Sequence, residues 1–320
     1  MTDGDLSAVE RALAGTGLDA GAVRDLVARA LDEDLGGDPG RDVTSEATID
    51  AGAVHAAHVV ARAGGVVAGL PLLGVVLADV ARRQGMAVPS VELRAADGDE
   101  VARGDVVARL LGATRVLLVA ERTLLNLLCR ASGVATSTRQ WVQELEGTGA
   151  RVLDTRKTTP GLRSLEKYAV RCGGGTNKRM GLYDVAMVKD NHKLAAGSVA
   201  AAYAAVRSRF PGVDVQVEVT TPAEAVEAVG VGARFLLCDN MSVEVLADTV
   251  RAARAATGDR LEIEATGGLS LAVARDCAAT GVDYLSVGAL THSSGILDLA
   301  VDLSVEQAVE QAVEEAVEQV

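Results

Sequence analysis

From about Arg151 onward the chain alternates short apolar runs with longer amphipathic stretches. The runs Arg151–Leu153, Val185–Val188, Val215–Val219, Phe235–Leu237, Leu261–Ala265 and Tyr284–Val287 predict strands. Between them, Leu162–Arg171, Ala195–Arg209, Pro222–Val229, Val243–Ala256 and Leu271–Thr280 predict helices. Pro222 falls at a helix start, where its missing N–H costs nothing. Strand and helix in alternation imply a parallel sheet with right-handed crossovers, and six such strands approach a barrel.

The first third has a different rhythm. Val23, Leu26, Val27, Ala30 and Leu31 share one face of a helix predicted over 22–35, which Gly36-Gly37-Asp38-Pro39-Gly40 stops. Strands are predicted at Val54–Ala61, Val66–Ala68, Val91–Leu93 and Val106–Leu111, with a helix over Leu70–Gln84. Without βα regularity this reads as a small α+β unit. A long helical region follows over Ala113–Leu145, with a break expected near Gly133. Its apolar positions crowd most of the circumference and leave a narrow polar stripe of Glu121, Arg122 and Asn126. Such a helix suits burial between domains or subunits, and Arg122 on it is a candidate for reaching into a site. The tail SVEQAVEQAVEEAVEQV repeats every four residues, a period that drifts around a helix axis and holds no stable seam.

The ends of the six later strands carry the chemistry. Asp154-Thr155-Arg156-Lys157, Lys189-Asp190-Asn191, Glu218, Asp239-Asn240, Thr266-Gly267-Gly268 and Gly288 each close or follow an apolar run. In an α/β barrel those positions converge on one face, where active sites sit. Against a net charge of −13, the segment from Leu153 to His192 clusters Arg156, Lys157, Arg163, Lys167, Arg171, Lys178, Arg179 and Lys189. Cations held close on an acidic background imply a pocket for a small polyanion. The acidic balance and an aromatic content of 2% argue against nucleic acid. No apolar run is long enough to span a bilayer, and no secretory signal opens the chain. Four scattered cysteines fit a reduced, cytoplasmic setting.

Arginines 156, 179 and 122 suit bidentate grip on carboxylates, while Lys157 and Lys189 suit point-charge contacts to phosphate or carboxylate. The glycine-bearing ends Thr266-Gly267-Gly268 and Val287-Gly288-Ala289 suit phosphate binding through backbone N–H groups. Glu218 and Asp239 could hold Mg²⁺, accept ribose hydroxyls or stabilise an oxocarbenium-like centre. Structural neutralisation of nearby Lys and Arg is the plainer alternative.

On these residues the chain closely resembles the quinolinate phosphoribosyltransferases. The carrying motifs are LDEDLGGDPGRDVTS, ERTLLNLLCRASG, TRKTTPGLRSLEKYAVRCGGGTNKRMGLYD with KDNH, and then VEVTT, LLCDN, EATGGLS and VDYLSVGALTHS. They span about residues 22 to 303 in family order.

The resemblance implies an α/β fold, with an N-terminal α/β sandwich domain and an open α/β barrel of type II phosphoribosyltransferase kind. It implies the sandwich domain over 22–130, the catalytic barrel over 131–291 and a C-terminal return segment over 292–303; outside it, composition predicts a flexible lead-in over 1–21 and an acidic helical tail over 304–320. It further implies Mg²⁺, the substrates quinolinate and phosphoribosyl pyrophosphate, and a homodimer with shared active sites, assembly beyond the dimer being left open. By resemblance, Arg122 crosses from the neighbouring subunit to the quinolinate carboxylates. Arg156 and Arg179 are the other clamps, and Lys189 lies at the reacting end. Thr155-Arg156-Lys157 meets the substrates, with Lys157 on the phosphoribosyl donor, and Glu218 and Asp239 stand at the ribose and Mg²⁺. Thr266, Gly267, Gly268, Val287, Gly288 and Ala289 form the 5′-phosphate loops, with His292 nearby. Lys189, Glu218 and Asp239 are the catalytic set.

One departure concerns Lys178, which stands where the family commonly has histidine. Lysine keeps a positive charge and a donor but not a neutral imidazole, which bears on affinity and pH dependence more than on reaction class. Two other readings remain: a related enzyme acting on another carboxylated ring, and a non-catalytic binder of phosphorylated metabolites.

Overall fold

The computed structural model describes residues 9–304. They divide into two compact units, one built from residues 9–136, 164–173 and 295–304 and the other from residues 137–163 and 174–294. The segment read as an acidic helical tail, 305–320, and residues 1–8 lie outside the described residues.

The first unit begins inside the segment expected to be a flexible lead-in. Residues 9–12 are helical, and Val9 and Leu13, four apart on one face, are buried. Helix α1 (Ala20–Leu35) starts at Asp19, whose side chain accepts from the Ala22 N–H, and stops at Gly36 in the left-handed region. A short helix α2 (Val43–Thr48) follows, capped by Asp42. Then come β1 (Val54–Ala61), β2 (Gly65–Val66), α3 (Leu72–Gln84), β3 (Ser90–Leu93), β4 (Glu100–Val101) and β5 (Val106–Ala113). Helix α4 (Thr114–Glu144) runs unbroken through Gly133, where a break was expected. The glycine serves closeness instead, because a Cβ there would lie 2.0 Å from the Gly295 carbonyl oxygen of the returning chain.

The second unit is the predicted strand–helix alternation. Its strands are β6 (Arg151–Leu153), β7 (Val185–Val188), β8 (Asp214–Val219), β9 (Phe235–Asp239), β10 (Glu262–Thr266) and β11 (Tyr284–Ser286). They form one parallel sheet in the order β6-β11-β10-β9-β8-β7. Among the described residues no ladder joins β6 to β7, so the barrel is open there. Helix α5 (Arg163–Cys172) follows β6, yet nearly all of it belongs to the first unit. Its buried Glu166 pairs with Arg130 at 2.8 Å, and its Tyr168 hydroxyl donates to Asp97. The barrel read as continuous over 131–291 is therefore interrupted by 164–173, and the division in α4 falls at Thr136.

The helix expected over Ala195–Arg209 is two helices, α6 (Asp190–Ala196) and α7 (Val199–Arg209). Gly197 at φ +92 ends the first, and Ser198 caps the second by accepting from the Ala201 N–H. Helices α8 (Pro222–Gly230), α9 (Val243–Ala255), α10 (Leu271–Ala279) and the short α11 (Ala289–His292) complete this unit. Strand β12 (Leu299–Ser304) closes the return segment by pairing antiparallel with β1, giving the first unit a sheet of order β12-β1-β5-β3.

Strand alternation positions the site. On β10, Ile263 and Ala265 are buried on one face, while Glu264 and Thr266 on the other line a cavity. On β9, Leu237 and Asp239 do the same. No described helix is long and apolar enough to cross a membrane.

Candidate active site

The cavity has a volume of about 360 Å³ and lies wholly in the second unit, at the carboxyl ends of its strands. Thr155, Arg156 and Lys157 reach it from the end of β6, Lys189 from the end of β7, and Asp239 from β9. Thr266, Gly267 and Gly268 border it after β10, and Val287, Gly288, Ala289 and His292 after β11. Lys178 and Arg179 enter from the loop after α5. That loop is tied down by Asp154, a fully buried carboxylate that accepts from Asn177 Nδ2 at 2.6 Å and from the Lys178 N–H at 2.8 Å.

The arginines are held but not neutralised. Arg179 Nη1 donates to the Val185 carbonyl at 2.8 Å. Burial, and then the neighbouring Arg156 charge, push Arg179 below the usual arginine value, against a weaker pull from Asp184. The Nε of Arg156 is buried with no hydrogen-bond partner. Two adjacent guanidiniums with an unused donor are what a site for a polycarboxylate requires.

The lysines are different. Lys189 ion-pairs closely with Glu218, a buried carboxylate on β8 that lies behind the lysine and is not on the cavity wall. Lys178 lines the cavity but places its ammonium 2.5 Å from both oxygens of Glu264, which is fully buried. Burial draws Lys178 below the usual lysine value, against the pull of Glu264. Sequence reasoning gave Lys178 a charge facing the ligand and overlooked Glu264 as its counter-ion. The signal was present in the alternation of EIEAT, which puts Glu264 on the same face as Thr266.

Asp239 is raised above the usual aspartate value by burial and then by the charge of Glu218 on the adjacent strand, against Lys189. A half-buried carboxylate beside a second one fits a hard cation. Mg²⁺ commonly takes one or two carboxylates and completes its shell with waters and substrate phosphates. Among the described residues no cluster of three or more His, Cys, Asp or Glu forms a self-sufficient metal site, so such a cation would need substrate oxygens.

The glycine loops are shaped for close approach. Gly267 sits at φ +88, and a Cβ there would come 2.8 Å from the Asn240 nitrogen and 3.0 Å from Asp239 Oδ1. At Gly288 a Cβ would lie 2.9 Å from Lys157 Cδ and 3.1 Å from His292 Nε2. The Thr291 hydroxyl donates to the Lys157 carbonyl at 2.8 Å, binding the β6 and β11 ends together. Exposed His292 holds the Ser293 hydroxyl at 2.6 Å through Nδ1.

Of the residues read from sequence, Arg122 is placed in the other unit, as are Lys167 and Arg171 of the basic cluster, and Arg163 is not on the cavity wall. Arg122 lies on α4 with 64% of its side chain exposed, 3.8 Å from Glu121, and is not on the cavity wall. Two polar wall residues went unread, Glu264 inside β10 and Ser286 at the end of β11, because sequence reasoning concentrated on the charged and glycine-bearing residues that follow the apolar runs.

Fold and cavity together define an α/β-barrel protein that takes small polyanions at the carboxyl ends of its strands. Residues 134–302 match the C-terminal domain of quinolinate phosphoribosyl transferase, and residues 42–132 match its N-terminal domain. The chain belongs to the quinolinate phosphoribosyl transferase family. It is 45% identical over 282 residues to the nicotinate-nucleotide pyrophosphorylase [carboxylating] of Mycobacterium leprae (strain TN), covering 88% of this chain and 96% of that protein. It is 42% identical over 248 residues to a probable nicotinate-nucleotide pyrophosphorylase [carboxylating] of Bacillus subtilis (strain 168), covering 77% and 82%. Its fold matches that of NadC from Streptococcus pyogenes with a TM-score of 0.82 at 35% identity, over 90% of this chain and 98% of that one.

Proposed function

We propose that the cavity binds quinolinate and phosphoribosyl pyrophosphate side by side and joins them, giving nicotinate mononucleotide, pyrophosphate and CO₂ in NAD biosynthesis. The carrying observation is the convergence of Arg156, Arg179 and Lys189 with Asp239 and two glycine-bearing strand ends around one cavity. A diacid needs the first group, and a phosphorylated sugar needs the second.

Arg156 and Arg179 grip the carboxylates and turn the ring nitrogen toward ribose C1′, so that attack becomes effectively unimolecular. The N–H groups around Gly267, Gly268 and Gly288 and the Lys157 ammonium hold the phosphates. As the C1′–pyrophosphate bond breaks, positive charge grows at C1′, and Asp239 is the carboxylate on the cavity wall available to stabilise it. Glu218 fixes Lys189 at the reacting end. Once the ring nitrogen carries the ribose it is a cationic pyridinium. The C2–carboxylate bond then breaks, CO₂ leaves, and the electron pair left on C2 takes up a proton. Mg²⁺, held by Asp239 with Glu218 beside it, would neutralise pyrophosphate charge.

The active form is a homodimer in which Arg122 of one protomer completes the clamp of its partner. The support is an exposed arginine on a helix whose neighbouring Val119, Ala120, Leu124, Leu125 and Leu128 are buried. Four free cysteines support a cytoplasmic setting.

The test is incubation of purified protein with quinolinate, phosphoribosyl pyrophosphate and Mg²⁺, with nicotinate mononucleotide read by mass. Product that appears with quinolinate and not with other carboxylated rings supports the reading. Tight donor binding with no product would replace it by a non-catalytic binder.

A further inference from the structure

We propose that Ser286 is a substrate-contacting residue, its hydroxyl donating to an anionic oxygen of a bound substrate. The inference rests on the reaction assigned above. Ser286 is the last residue of β11 and lines the cavity, yet only 4% of it is exposed. Its Oγ is buried and has no hydrogen-bond partner. The backbone is engaged on the β6 side, where Ser286 pairs with Leu153 in the parallel ladder and the next N–H, of Val287, donates to the Leu153 carbonyl at 2.9 Å. What is left over is one hydroxyl.

A buried hydroxyl without a partner destabilises the fold that carries it. Packing alone would favour alanine at this position, which fills nearly the same space without the penalty. The unused hydroxyl is therefore matched to a partner that arrives with the ligand.

The surroundings say what kind of partner. Three residues past Leu153, beyond the end of the neighbouring strand β6, stands Arg156, whose Nε is likewise a buried, partnerless donor on the cavity wall. Two residues beyond Ser286 stands Gly288, also on the cavity wall, where the Lys157 and His292 side chains pack against the backbone. Two unused donors on one cavity wall call for an acceptor, and an anionic oxygen accepts several hydrogen bonds at once. It can be a carboxylate of the diacid or a phosphate oxygen of the sugar donor. Both present the same chemistry to Ser286, and the experiment separates them.

Ser286→Ala is small enough to fold. The test compares it with the wild-type protein in thermal melts without ligand, in calorimetric titration of each substrate alone with Mg²⁺ present, and in initial rates against each substrate. The melting temperature of the ligand-free variant should rise by about 2–4 °C, as expected on removing an unsatisfied polar group from a chain of this size. Affinity or KM for one substrate should weaken roughly tenfold, the loss of one charge-assisted hydrogen bond. A change confined to quinolinate identifies the carboxylate, and one confined to phosphoribosyl pyrophosphate identifies the phosphate. If both affinities and both KM values stay within twofold, or if the ligand-free melting temperature falls, Ser286 is a packing residue and the proposal is wrong. If the wild-type protein itself binds neither substrate, it is the assigned reaction that fails, not the reading of Ser286.

Discussion

Two arginine sites in this chain differ in one respect, and the difference separates structure from function. In the first unit, Arg83 on α3 has 1% of its side chain exposed. It donates to Asp32 at 2.7 Å, to Asp79 at 3.1 Å and to the carbonyls of Gly37 and Ala28. Burial alone would lower its pKa, but the aspartates more than offset that and raise it. In the second unit, Arg156 and Arg179 have each other for company, Arg179 is lowered, and Arg156 keeps an unused buried donor. Both sites hold arginine out of bulk water. Only one is electrically finished. Satisfied cations hold a fold together, and unsatisfied ones wait for a ligand.

The sharpest test of that contrast is removal of each cation in turn. Arg156→Ala or Arg179→Ala should lower kcat/KM for quinolinate by about a hundredfold or more, the scale of losing a charge-assisted carboxylate clamp. Melting temperatures should hold or rise, because repulsion is relieved. Steady-state rates and melts together check this, and a quinolinate KM within a few-fold of wild type would break the contrast.

Glu264→Gln should turn a finished charge into an unfinished one. It leaves the Lys178 ammonium buried without its counter-ion, at a cost of about 3 kcal/mol at pH 7. Burial already holds Lys178 below the usual lysine value, and loss of Glu264 lowers it further. Above that depressed folded value and below the ordinary 10.5, the unfolded chain binds more protons, so stability rises with pH. The deficit against wild type should therefore shrink between pH 7 and pH 10 in urea melts. Parallel curves would mean that Lys178 does not carry the charge.

Arg83→Ala, the structural counterpart, should cost about 2 kcal/mol of stability while leaving kcat/KM within about twofold, since nothing at Arg83 faces the cavity. Gly267→Ala tests backbone instead of charge. The positive φ and the 2.8 Å approach to Asn240 should shift the loop and raise the KM for phosphoribosyl pyrophosphate about tenfold, with quinolinate affinity unaffected. Smallest of all should be Cys172→Ala. Burial pushes that thiol up to about 11, so it stays protonated and unreactive at neutral pH, and activity should be nearly unchanged.

How much of this was legible beforehand follows the range of the interactions involved. Strands β6 and β7 fall where alternation put them, at Arg151–Leu153 and Val185–Val188, because an apolar run bounded by polar residues is a local signal. The charged strand ends converge as the parallel topology requires. Gly133 misled because a glycine that makes room for Gly295 looks, in one dimension, like one that breaks a helix. Helix α5 was assigned to the barrel because it follows β6, yet Arg130 and Asp97 claim it for the other unit.

The order of residues alone determined the α/β class, the family and the set of cations and carboxylates available for chemistry, since each rests on patterns read within a few positions. Which of those charges are neutralised was decided only in three dimensions. Glu264 lies far from Lys178 along the chain and Glu218 far from Lys189, and a counter-ion is a matter of ångströms, not of sequence separation. The same holds for Ser286, an ordinary strand residue until folding closes every neighbour around it and leaves its hydroxyl without a partner.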